Sequence, residues 1–187
     1  IASATARALE IDGATVLLAT SDKDMLALVG PRVRVKKLHG DGAVMDADAV
    51  TAKLGIFPFQ VGDYLALVGD ASDNIKGADG IGPKTAAKLL NLFVSLDALY
   101  VAIDCGTAKL SPAVATSLAE FRARKDVVRS LIALRTDVPI PFEEIAAERT
   151  PKGQATFGME AEPMNTTVVI EPAPPTEAPK PEPNGNV

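Results

Sequence analysis

The spacing of apolar positions changes period along the chain. Residues 1–11 carry Ile1, Thr5, Ala8 and Leu9 on one helical face, with Gly13 available for a left-handed stop, so a helix is expected there. Ala14-Thr-Val-Leu-Leu-Ala-Thr is a short continuous apolar run with β-branched residues, the pattern of a parallel strand covered on both faces. It ends directly in Ser21-Asp22-Lys23-Asp24. Arg32-Val-Arg-Val-Lys-Lys-Leu alternates as a second strand, and Gly40-Asp41-Gly42 is a turn before a further short stretch.

From Asp46 the pattern is helical. Asp46 can cap a helix that runs to Lys53 and stops at Gly55, and Pro58 suits the first turn of the next, through Tyr64, Leu65 and Val68. Gly69 to Gly82 reads as a loop with three aspartates, Pro83 opens a helix to Phe93, and Ser95 caps a short one. Ser111-Pro112 begins one long helix to about Leu134, with Val114, Leu118, Phe121, Val128 and Leu131 as its apolar stripe. The expected architecture is α/β at the start and all-α afterwards.

Composition separates the end of the chain from the rest. Residues 151–187 hold eight of the 14 prolines, five glutamates and two lysines, a net charge of −3 out of −5. A disordered Pro/Glu-rich tail is therefore expected over residues 144–187, as a solvated terminus or a docking segment. The remaining mild acidity leaves nucleic-acid binding to local patches. No apolar run approaches the roughly 20 residues needed to span a bilayer and no signal peptide is recognised, so a cytoplasmic protein without membrane contact is expected. One cysteine, Cys105, and one histidine, His39, exclude a thiolate cluster or a multi-histidine site, which leaves carboxylates as metal ligands. Cys105 and His39 read as core and turn residues, and Tyr64 as core facing the aspartate loop.

Asp22 and Asp24 lie just beyond the carboxyl end of a buried strand, where open parallel sheets place their ligands. Asp70 and Asp73 form a second pair in Gly69-Asp-Ala-Ser-Asp-Asn. Carboxylates two or three residues apart can converge on one hard cation, and four oxygen ligands suit Mg²⁺ or Mn²⁺. The competing reading makes Asp22 and Asp70 helix caps and the others solvated loop charges.

Asp79-Gly-Ile-Gly-Pro-Lys-Thr-Ala is a tight glycine turn that runs straight into a helix with a cation in its first turn. Backbone N–H groups at Gly80, Ile81 and Gly82, the helix N-terminus, Lys84 and Thr85 together suit a phosphate. The spacing of a nucleotide P-loop is absent. The alternative is that the glycines serve the turn alone. Lys109, Arg122, Arg124, Lys125 and Arg129 add positive charge further on, as phosphate contacts or as an ordinary solvated face.

Thr20-Ser-Asp-Lys-Asp-Met-Leu-Ala-Leu-Val, then Asp63-Tyr-Leu-Ala-Leu-Val-Gly-Asp-Ala-Ser-Asp-Asn-Ile-Lys-Gly-Ala-Asp-Gly-Ile-Gly-Pro-Lys-Thr-Ala, then Leu134-Arg-Thr-Asp-Val-Pro resemble the 5′-nuclease domain of bacterial DNA polymerase I and phage flap endonucleases. The resemblance runs from Ile1 to about Phe142. It implies that residues 1–45 are the end of a PIN-like parallel sheet in the catalytic domain, and that residues 46–143 are a helix-hairpin-helix DNA-binding region. It implies that Asp22, Asp24, Asp70 and Asp73 hold the second of two divalent-metal positions, and that the hairpin grips duplex DNA with a K⁺ ion on its carbonyls. The family's first metal-binding strand, helical arch and Glu/Asp cluster have no counterpart in these 187 residues. A separate N-terminal nuclease segment is thus an expected partner, alongside flap, nicked or 5′-ended DNA. The alternative function is a sequence-independent DNA-binding module without hydrolysis.

Overall fold

The computed structural model describes residues 1–40, 42–142, 155–158 and 167–172. Helix α1 (Ala2–Leu9) buries Ala2, Ala4 and Ala8, small residues that let it pack closely on strand β1 (Ala14–Ala19), and Gly13 at φ 70° turns the chain between them. β1 pairs in parallel with β2 (Val33–Lys36), Val16 opposite Val33 and Ala19 opposite Lys36. Strand β3 (Val44–Met45) returns antiparallel to β2. The sheet is thus mixed, where a parallel one was expected: the connection from Lys37 to Ala43 is too short for a crossover.

Helix α2 (Ala47–Leu54) starts where the Asp46 carboxylate accepts from the Ala49 N–H at 2.9 Å, and ends at Gly55 with φ 71°. Pro58 opens a 3-10 turn, Pro58–Gln60, that feeds α3 (Val61–Val68). The expected loop after α3 contains a two-stranded ladder, β4 (Gly69–Asp70) with β5 (Ile75–Lys76). Gly77 sits so close to the backbone of Leu67, Val68 and Gly69 that no side chain fits there.

Helices α4 (Pro83–Phe93) and α5 (Leu96–Asp104, capped by Ser95) follow as expected. The long helix does not form: α6 (Pro112–Arg122) and α7 (Lys125–Ile132) are separate. At the break the Arg124 guanidinium donates to the carbonyls of Lys76 and Gly77, at 2.6 and 2.5 Å, and lies over the Phe121 ring. The resulting register buries Ile132 and exposes Leu131, which a continuous helix was expected to bury. Cys105, expected in the core, is exposed at the end of α5.

Past Phe142, strands β6 (Ala155–Gly158) and β7 (Thr167–Pro172) extend the sheet to the order β3-β2-β1-β7-β6. The expectation of disorder over 144–187 therefore fails at these two segments. Thr167-Val-Val-Ile is β-branched throughout, and β7 pairs antiparallel with β1, Leu17 opposite Val169. The other residues of that expected tail lie outside the described residues. One continuous core joins the sheet (Val16, Leu18, Val35) to the helices (Leu67, Leu90, Leu99, Leu118, Phe121). No single helix among the described residues is long and apolar enough to cross a membrane.

Candidate metal centre

The segment leaving β1 is not a free loop. The Thr20 hydroxyl accepts from the Asp22 N–H at 3.1 Å, and the Asp22 carboxylate accepts from the Asp24 N–H at 2.9 Å. That cap starts a 3-10 helix, Lys23–Leu28, which the sequence reading lacked and which buries Met25 and Leu26. Its first turn carries Asp24 toward the start of β4.

Asp24, Asp70 and Asp73 come together there, each with a carboxylate oxygen within 4.8 Å of the others. Asp22 is not in this group. Its carboxylate is turned to capping, and the residue lines a separate cavity of about 300 Å³ with Lys37, His39 and Lys53. Asp70 is buried and Asp73 exposed, so the group runs from interior to surface. One Asp24 oxygen, Oδ1, is buried without a hydrogen-bond partner. Burial first, then repulsion from Asp22, Asp70 and Asp73, pushes the Asp24 carboxyl up to about 6.

Asp70 is held differently. Its Oδ1 accepts from the Lys23 ammonium at 2.5 Å, and from the Ser72 N–H and hydroxyl at 2.9 and 2.5 Å. Burial alone would raise its pKa, but the bonds from Lys23 and Ser72 and the Lys23 charge outweigh it and bring it down to about 2. Lys23 and Ser72 had no assigned role in the sequence reading; a cation between two aspartates, and a serine two residues past a third, were the available signals.

An orphaned buried carboxylate oxygen beside two further carboxylates fits a divalent cation, and an all-oxygen donor set fits Mg²⁺ or Mn²⁺. The charge arrangement is unfavourable in isolation, as expected of a site shaped for a ligand rather than for stability.

The glycine turn follows β5. Ala78 N–H bonds to the Leu67 carbonyl and Ile81 N–H to the Ala78 carbonyl, and Ile81 is buried, so the turn is anchored from below. Gly80 has φ 74°, and Gly82 caps α4 without a side chain. Pro83, the first residue of α4, has no N–H, so the amides at this helix start are those of Lys84 and Thr85. Lys84, Lys88 and Lys109 line one cavity of about 330 Å³, and none of the three has an ion pair among the described residues.

The other expected basic residues are committed elsewhere. Arg122 pairs with Asp104 at 2.6 Å, Arg129 with Asp63 and Asp97 at 3.1 and 2.9 Å, Lys125 with Asp126 at 2.5 Å, and Arg124 with the backbone described above. Lys109 alone of the five stays open toward the hairpin face.

A family model described as "5′-3′ exonuclease, C-terminal SAM fold" matches residues 56–154. The chain is 35% identical over 151 residues to the thermostable DNA polymerase I of Thermus aquaticus, covering 81% of this chain and 17% of that protein. It is 41% identical over 129 residues to DNA polymerase I of Treponema pallidum, covering 68% and 12%. To the flap endonuclease Xni of Shewanella amazonensis it is 37% identical over 132 residues, covering 71% and 50%. The chain thus spans less than a fifth of these polymerases and about half of that endonuclease. In fold it resembles the T5 D15 protein co-crystallised with metal ions, with TM-score 0.56, 18% identity, and coverage of 70% of this chain and 47% of that one.

Proposed function

The chain belongs to the 5′-3′ exonuclease family, and from that premise we propose that it supplies part of a divalent-metal-dependent, structure-selective 5′-3′ exonuclease or flap endonuclease that hydrolyses DNA phosphodiester bonds. The observation that carries this reading is the convergence of Asp24, Asp70 and Asp73 on the β4 side of the same short ladder whose β5 side leads into the glycine turn.

In this reading Asp24, Asp70 and Asp73 hold Mg²⁺ or Mn²⁺, and Asp22 contributes its charge and fixes the Asp24 backbone. Such an ion, when bound, lowers the pKa of an attacking water and stabilises charge on the leaving oxygen. Residues 1–45 serve the catalytic part and residues 46–143 a helix-hairpin-helix grip on DNA. Gly80, Ile81, Gly82, Lys84 and Thr85 clamp the backbone of a flap, nicked or 5′-ended duplex, with K⁺ on the turn carbonyls. Phosphate contacts of this kind fix position without reading sequence. The ligands of a second metal position would come from a nuclease segment outside these 187 residues.

Titrating Mn²⁺ into isotopically labelled chain tests the metal assignment. Resonances of Asp24, Asp70 and Asp73 should broaden at substoichiometric Mn²⁺ while Asp104 stays sharp. Unchanged signals from all three would remove the metal site.

A further inference from the structure

Lys23 is the one cation in the Ser21–Asp24 segment, and it is turned inward to the acidic group. Its ammonium joins two loops, bonding to Asp70 Oδ1 at 2.5 Å and to the Ser72 hydroxyl at 2.8 Å. Asp70 Oδ1 thus accepts three hydrogen bonds in all, while Asp24 Oδ1 in the same group accepts none. A single positive charge is therefore bonded to the most buried carboxylate, and neither Asp24 nor Asp73 has an ion pair of its own among the described residues. We propose that Lys23 is the resident counter-ion of this site, displaced from Asp70 when a divalent cation binds, so that Lys23 sets the metal affinity of the carboxylate group.

This inference rests on the metal-binding reading above. Its physical basis is competition for the same charge. A buried carboxylate without a partner is costly, so in the metal-free chain the ammonium stabilises Asp70 and holds the Thr20–Asp24 segment against β4. An ammonium and a divalent cation on neighbouring carboxylate oxygens repel each other strongly at low dielectric. The ammonium has somewhere to go: the Lys23 side chain is 44% exposed, and the residue also lines the cavity shared with Lys37, His39 and Lys53 at the ends of β1 and β2. Removing it should tighten metal binding and loosen the metal-free protein, whereas a residue that merely staples two loops would do the reverse to the metal.

Mn²⁺ affinity of the full 187-residue chain, measured by electron paramagnetic resonance for wild type and Lys23→Met, tests this. The expected result is binding tighter by about tenfold in Lys23→Met, with a lower Tm in chelator and a larger rise in Tm on adding Mn²⁺. Equal or weaker Mn²⁺ binding by Lys23→Met, with wild type still binding, overturns the counter-ion role and leaves the metal site standing. No Mn²⁺ binding by either chain overturns both. A wild-type measurement covers the case of a poorly folded variant: amine acylation followed by mass spectrometry should show Lys23 labelling rise several-fold on adding Mg²⁺ relative to Lys53. Labelling of Lys23 that ignores Mg²⁺ also overturns the proposal.

Discussion

Arg124 donates to the carbonyl of Gly77 at 2.5 Å, across 47 residues of sequence, and so ties the break between α6 and α7 to the base of the glycine turn. Gly77 is in turn pressed against the backbone at the end of α3, leaving the turn little freedom to shift.

Arg124 should therefore support duplex binding without touching phosphate. Arg124→Ala is expected to weaken duplex affinity by roughly tenfold, because a turn no longer held in one shape must be ordered on binding, with the salt slope of binding unchanged. Lys84→Ala should weaken affinity and also lower that slope by about 0.9, as one lost phosphate contact does. Binding measured from 50 to 200 mM salt distinguishes them, and an equal slope change in both variants contradicts the division of roles.

Asp24→Asn should stabilise the metal-free chain. It removes a charge held close to Asp22, Asp70 and Asp73 and partly buried with one oxygen unpartnered. The gain is expected to be about 1 kcal/mol at pH 7.5 by urea unfolding in chelator. The same variant should lose the stabilisation that wild type gains from Mn²⁺. A destabilised Asp24→Asn that still responds to Mn²⁺ speaks against this carboxylate as a ligand.

Tyr100 predicts an alkaline limit. Its hydroxyl donates to the buried Leu118 carbonyl at 2.8 Å, and burial pushes its pKa up to about 12, partly offset by Arg122. A tyrosine ionises near 10 when unfolded, so the folded state favours the neutral form. Its contribution is fully present below pH 10 and is lost as pH rises from 10 toward 12. Tyr100→Phe should cost about 1 kcal/mol at pH 8, and the gap from wild type should close across that window. A gap constant from pH 8 to 12 would show that ionisation at Tyr100 is not coupled to folding.

Much of this site could be read from residue order, and the remainder depends on long-range contacts. The strand before Asp22, the cap at Asp46, Pro83 opening α4 and the glycine turn are local signals, and each element formed where its own residues placed it. Motif spacing put Asp22, Asp24, Asp70 and Asp73 forward together, and only Asp24, Asp70 and Asp73 group in the structure while the Asp22 carboxylate caps the 3-10 helix, because a cap and a ligand look alike in one dimension. Arg124 and Lys23 were legible as charges, yet their partners lie 47 residues or more away. Arg122 and Arg129 are likewise legible as charges, but they pair with aspartates of other helices, Asp104 for the first and Asp63 and Asp97 for the second. Proline content hid the β-branched run that became β7, since composition averages over a segment that pairing resolves residue by residue.

Cleavage of a labelled 5′-flap substrate with Mg²⁺, by the 187-residue chain and by a version extended upstream, measures how much of the active centre these residues supply. Half of a two-metal arrangement stabilises only part of the charge that develops on the attacking and leaving oxygens, and every 1.4 kcal/mol lost costs about tenfold in rate. The expected result is duplex binding but little or no cleavage by the 187-residue chain, strong cleavage by the extended one, and loss of that cleavage in extended Asp70→Asn or Asp73→Asn. Efficient cleavage by the 187-residue chain that survives Asp70→Asn would place the active centre elsewhere.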